Sequence, residues 1–205
     1  MNKNGFTLIE ILIALMVFAI IAGITSSAMY YAFNTRSKIN TYADRLSELQ
    51  IAVNLLEQDT DQIINRPVRG DDMRTFPAFI GAPETIEFTR AGVVNPRQLA
   101  NRSTLKRIAF LCQNHQLIRR SWLQTDSPNR KRYEDRIVID QLKACKFSFM
   151  DNNKQQYKEW LSESITNDQK KQVFPSIIQL DIELIDWGKL SLTLLVPEAI
   201  YANLS

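Results

Sequence analysis

From Phe6 to Ile24 the chain reads FTLIEILIALMVFAIIAGI, a run whose one charged residue is Glu10. A helix of about 19 residues, rising about 1.5 Å per residue, crosses most of a hydrocarbon core roughly 30 Å thick. A carboxylate near the middle of such a core costs about 2.5 to 3.5 kcal/mol on insertion scales. The segment is therefore built for an apolar medium, and Glu10 needs a compensating partner. Lys3 is the one side-chain cation ahead of the run, which weakly favours a cytoplasmic N-terminus, while Arg36 and Lys38 beyond it pull the other way.

Two ordinary explanations fit poorly. A cleaved secretory signal would use the small residues Ser26-Ser27-Ala28, but this run exceeds an h-region of about 7 to 15 residues, has a minimal basic start and contains a carboxylate. An uncleaved anchor accounts for the length and leaves Glu10 unexplained.

The helical period continues past the apolar run. Ile39, Tyr42, Leu46, Leu49, Val53, Leu56 and Ile63 recur at spacings of three, four or seven, with Arg45, Glu48, Glu57 and Asp61 off the stripe. This predicts a helix to about Ile64, stopped at Asn65-Arg66-Pro67 because the residue before a proline is driven from helical angles. Val53, Leu56 and Ile63 are expected in a domain core; Ile39 and Tyr42 lie where partner helices would replace the sheet. After Pro67 the period becomes two. Thr85 to Thr89, Lys106 to Cys112, Leu117 to Trp122, Ile137 to Ile139 and Ala144 to Met150 read as extended, with a turn at Gln113-Asn114-His115. Ile178, Leu180, Ile182 and Leu184 alternate with polar residues, and Asp186-Trp187-Gly188-Lys189 is expected to turn the chain into Leu190 to Val196, which Pro197 ends. The fold class is α+β: one long N-terminal helix, transmembrane in its first half, packed on a largely antiparallel sheet. With 205 residues, 45% apolar and 23% charged, the chain supports one conventional soluble domain plus an appendage.

Gly5-Phe6-Thr7-Leu8-Ile9-Glu10 resembles the type IV pilin-like N-terminus. The resemblance implies that a prepilin peptidase cleaves after Gly5 and methylates the new N-terminal Phe6, and that Glu10 meets the amino group of a neighbouring subunit as helices enter a filament. Removing one member of a low-dielectric ion pair is strongly destabilising, so such a pair can set register. Further along, Arg66-Pro67-Val68-Arg69, Glu87 to Pro96, the hairpin leading to Arg119-Arg120, and Asp186-Trp187-Gly188 occur in an order similar to the J-type minor pseudopilins of the type II secretion system. Val93, where relatives tend to carry tryptophan, and the long polar stretch Asp151 to Gln172 depart from that pattern.

The implied protein is a structural subunit near the tip of a periplasmic pseudopilus. It would associate with I-type and K-type minor pseudopilins, prime assembly of the major pseudopilin, and aid export of folded proteins through an outer-membrane secretin. It would be a single-pass protein of the bacterial inner membrane, with residues 1–5 as leader, 6–29 in the membrane or filament and 30–205 as the periplasmic domain. The alternatives are a minor pilin of a type IV pilus and a membrane-anchored periplasmic binding protein.

No enzymatic role is expected: phosphate-loop glycine patterns are absent, and no cofactor, small-molecule substrate or metal is implied. One histidine, His115, is too few for a multi-histidine metal site and is expected in an exposed turn. Asp59, Asp61, Asp71 and Asp72 lack the alternating ligands and central glycine of a Ca²⁺ loop. Pro128-Asn129-Arg130-Lys131-Arg132 is the densest basic cluster, but acids follow at Glu134 and Asp135 and the net charge is only +3. A solvated loop is expected there, with no nucleic-acid partner. Cys112 and Cys145 fall on apolar faces by alternation. In the oxidising periplasm they would close a loop of about 33 residues, contributing roughly 3 to 4 kcal/mol if paired; two buried unpaired thiols are the alternative, because spacing gives no Cα separation.

Overall fold

The computed structural model describes residues 7–70, 75–92, 103–126, 130–162 and 174–197. Helix α1 spans Leu8–Thr60. Thr7 caps it: its N–H donates to Glu10 Oε2 at 2.8 Å and its hydroxyl donates to the same oxygen at 2.9 Å. A carboxylate reaching back over the first turn satisfies an orphan donor and complements the positive helix end. Polar side chains farther along are also satisfied locally, Thr25 and Ser27 donating to the carbonyls of Ile21 and Gly23 at 2.8 and 3.0 Å. This lets them lie in an apolar medium.

The chain divides into two compact units between Glu48 and Leu49. In the first, every side chain from Thr7 to Glu48 except Arg45 is exposed. In the second, α1 buries Leu49, Ala52, Leu56, Asp59 and Thr60, while Val53, expected in the core, is only half-buried. The helix also ends at Thr60, short of the expected Ile64. There strand β4 captures the chain: Ile64 N–H donates to Thr89 O at 3.0 Å, Ala91 N–H donates to Gln62 O at 2.9 Å, and Ile63 bridges Arg90. These bonds replace the last helical turn before Pro67 acts.

Among the described residues twelve strands follow: β1 Val68–Arg69, β2 Thr75–Phe76, β3 Phe79–Ala82, β4 Thr85–Arg90, β5 Lys106–Gln113, β6 Gln116–Trp122, β7 Tyr133–Ile139, β8 Leu142–Met150, β9 Gln156–Tyr157, β10 Trp160–Leu161, β11 Ile177–Leu184 and β12 Gly188–Leu195. They form a β1–β2 pair, a six-stranded sheet ordered β10-β3-β4-β5-β6-β7 and a four-stranded sheet ordered β12-β11-β8-β9. All of the pairings are antiparallel. The β5–β6 turn uses Asn114 and His115 at φ 52° and 60°, the positive values a two-residue hairpin loop demands. The last hairpin differs from expectation: Leu184 pairs with Gly188, so the loop is Ile185-Asp186-Trp187, and Gly188 at φ 77° already belongs to β12. A backbone at that angle favours glycine.

One apolar cluster joins α1 to both sheets through Leu56, Phe79, Phe88, Phe110, Phe147, Phe149, Ile178 and Leu180. Phe79 stacks on Phe88 at 6.2 Å and meets Phe149 edge-on at 5.8 Å. Gly81 admits the Phe149 ring so closely that an added Cβ would collide with it. Strand β7 ends the six-stranded sheet, with Tyr133 through Arg136 and Ile137 exposed.

Candidate functional site

Gly5 and Phe6 lie outside the described residues. Glu10 sits in the first turn of α1, and among the described residues Thr7 donates to it twice. From there the exposed face includes Ile11, Phe18, Ile21, Met29, Tyr30, Tyr31, Phe33, Ile39 and Tyr42. It contains a stretch long and apolar enough to cross a membrane. Tyr30 and Tyr31, at the polar edge of that stretch, are of the type that gathers at the interface with water.

The other end of α1 is fixed by charge. Asp59 is fully buried in the last turn, where a carboxylate opposes the negative helix end. Arg119 of β6 donates to it twice, Nε to Oδ2 at 2.5 Å and Nη2 to Oδ1 at 3.2 Å. Arg90 of β4 pairs with Oδ1 and also donates to Gln62 Oε1 and to its neighbour's carbonyl, Ala91 O. Two arginines from strands on either side of β5 thus hold one helix carboxylate. Gly92 lies against Gln62, where a Cβ would collide with the amide and φ is 78°.

A second polar cluster involves Arg107, which is fully buried. Its Nε donates to Glu87 Oε1 at 2.8 Å and its Nη1 donates to Ala78 O and Thr89 Oγ1 at 2.9 and 3.1 Å. Burial pushes the Arg107 pKa down, and the charge and hydrogen bond of Glu87 oppose that shift. Arg130 also donates to Glu87 Oε1, at 2.7 Å, and its guanidinium lies over the Phe76 and Trp122 rings at 4.1 and 4.7 Å. The expectation of a solvated basic loop is thus wrong at Arg130, because two aromatic faces and a carboxylate draw the cation inward. Lys131 and Arg132 are exposed, and Pro128 and Asn129 lie outside the described residues. Nearby, Asp126 accepts from Arg66 Nη2 at 2.6 Å and from Arg69 N–H at 3.0 Å.

Cys112 of β5 and Cys145 of β8 bring their Sγ atoms into bonding contact, with Cα atoms 5.7 Å apart, linking the six-stranded sheet to the four-stranded one. His115 is exposed and its Nδ1 lies 3.0 Å from Leu142 O. Among the described residues no three His, Cys, Asp or Glu side chains gather as metal ligands; Asp71 and Asp72 lie outside them. Sequence reasoning missed the Asp59 and Arg107 clusters. The available signal for Asp59 was its register: Ala52, Leu56, Asp59 and Ile63 follow one another at four, three and four residues, on the buried face.

Comparison with known proteins bears on the whole assembly. A model of the prokaryotic N-terminal methylation motif matches residues 1–26, and a model of type II secretion system protein J matches residues 27–196. Type II secretion system protein J of Escherichia coli is 27% identical over 198 residues, covering 92% of this chain and 94% of that one. Its Klebsiella pneumoniae counterpart is 25% identical over 200 residues, covering 96% of each. A chain in the crystal structure of the GspK-GspI-GspJ complex from the enterotoxigenic E. coli Type 2 Secretion System matches with a TM-score of 0.63 and 26% identity, covering 74% of this chain and 97% of that one. With a pilin-like start on a continuous helix and a family match over most of the remaining chain, this protein belongs to the type II secretion system protein J family, the J-type minor pseudopilins.

Proposed function

We propose that this chain is cleaved after Gly5, methylated on Phe6, and held in the bacterial inner membrane by residues 6–29 with its C-terminal domain in the periplasm. There it is a tip subunit of the pseudopilus, binding I-type and K-type minor pseudopilins and starting assembly of the major pseudopilin. Its role is to position other chains, and it makes and breaks no bond. The observation that carries this reading is the exposure of every side chain of α1 from Leu8 to Asp44, a face that includes a stretch apolar enough to cross a membrane. Such a surface must be covered by lipid or by neighbouring helices.

Glu10 is the assembly charge in this reading. Thr7 satisfies the carboxylate within one chain, which lowers the cost of carrying it in the membrane. Cleavage then creates an amine at Phe6, and pairing between subunits sets helix register, whereas pairing within one chain only neutralises charge. Glu10→Ala should leave insertion and cleavage intact and reduce crosslinking to partner pseudopilins and protein export. Full crosslinking with full export would remove Glu10 from this role. Mass spectrometry of the native N-terminus tests the first step directly, since the mature chain must begin at methylated Phe6. In the oxidising periplasm Cys112 and Cys145 form a disulfide that staples the two sheets.

A further inference from the structure

We propose that Asp59, gripped by Arg90 and Arg119, is a latch that stops α1 from peeling off the six-stranded sheet when the helix is pulled. A helix pulled from its N-terminal end leaves its seat in sequence order: Leu49, then Ala52, Leu56 and finally Asp59, all of them buried. The first three contacts are apolar, without preferred direction, and yield gradually as surface is exposed. Asp59 is different. Its carboxylate takes two donors from Arg119 and one from Arg90, and charge-assisted bonds of this kind hold only over a short span of distance and angle.

The position of the grip is as informative as its strength. One residue beyond Asp59 the helix ends, and the chain immediately joins β4 through Ile64 N–H to Thr89 O and Ala91 N–H to Gln62 O. Gln62 and Asp59 are both bound by Arg90, so one guanidinium ties the helix end to the segment that follows it. Peeling that passed Asp59 would load the β4 backbone ladder itself. The two arginines stand on strands separated by β5, which spreads the pull across three strands of the sheet. A carboxylate at this point weakens an isolated helix, so its presence fits a contact selected for its reach to the sheet. That α1 is pulled in service follows from the filament reading above; the latch is tested on the isolated chain, and either can fail without the other.

The test holds the full-length chain in detergent by its two termini in an optical trap and measures the rate of domain opening at fixed force. Asp59→Asn is expected to raise that rate by about tenfold or more, as losing one partner of a buried ion pair should. Leu56→Ala provides the comparison, because it removes thermal stability from the same helix face without touching the charges. A latch requires Asp59→Asn to open faster under force than its loss of melting temperature predicts from Leu56→Ala. If both variants fall on one line of opening rate against melting temperature, Asp59 is an ordinary core contact and the latch is overturned. Arg119→Lys keeps a cation but loses the two-donor fork, and is expected between wild type and Asp59→Asn. Should Asp59→Asn fail to fold, the position of Arg119→Lys on or off that line decides the question.

Discussion

Residues 7–48 and residues 49–197 solve opposite problems. The first stretch is the more apolar, yet none of its apolar side chains is buried within its own chain: Ile39 and Tyr42 are 59% and 64% exposed. The second is more polar, yet it closes a core around Leu56, Phe88 and Phe147, and even buries Asp59 and Arg107. Apolar character therefore says how much surface must be covered, and the availability of a facing element decides what covers it. Along one helix the change occurs within a turn, between Leu46, 44% exposed, and Leu49, 6% exposed.

The sharpest way to break this contrast is to block the proposed cleavage after Gly5. Gly5→Val should obstruct the peptidase, so that precursor accumulates and the mature chain starting at Phe6 disappears from mass spectra of the membrane fraction. Normal amounts of mature protein would show that the junction lies elsewhere. Next in size is the boundary on the helix. Leu56→Ala should destabilise the domain by about 2 to 5 kcal/mol, whereas Leu46→Ala should change it by less than about 0.5 kcal/mol. Denaturation of full-length protein in detergent measures both, and similar losses at the two positions would erase the division.

Several features of this division were legible in the sequence. Ile178, Leu180, Ile182 and Leu184 alternate, and all four are buried in β11. The two-residue strands β1, β2, β9 and β10 were not legible, because a period cannot be read from two residues. The buried charges were hidden for another reason. Lys106 to Cys112 reads as extended without marking Arg107 for the interior, and Arg107 is buried because Glu87, Ala78 and Thr89, from two other parts of the chain, supply acceptors for it. Arg90 and Arg119 were visible only as parts of resembling motifs. Their joint contact with Asp59 spans 31 and 60 residues of sequence, and needs the helix and two strands in place together.

The sheet-to-sheet link comes next in the series. Replacing Cys112 and Cys145 with alanine should cost about 3 to 4 kcal/mol for a separation of 33 residues. Thermal melts of the wild type with and without reductant should reproduce the loss, and identical melts would mean that packing and backbone hydrogen bonds such as Phe147 N–H to Pro83 O join the sheets without it. The smallest effect belongs to the surface. Arg120 donates to Asp135 twice, both at 2.8 Å, and these bonds hold the Asp135 carboxyl below its ordinary pKa. Their stabilisation is therefore complete above about pH 4 and is lost as pH falls through the lower folded value. The two side chains are 21% and 35% exposed, so about 0 to 1 kcal/mol is at stake. Asp135→Asn should make the acid limb of the stability curve slightly shallower in melts between about pH 2 and pH 7, and an unaltered limb would place that acid sensitivity elsewhere.

The outer strand β7 sets a limit on how this chain can associate. It carries Glu134, Asp135 and Arg136 in succession on an open sheet margin, an arrangement that discourages strands of separate molecules from zipping together. Charges along that margin make β7 a poor template for a second copy's strand, whereas β12, the margin of the four-stranded sheet, carries Lys189 as its single charge.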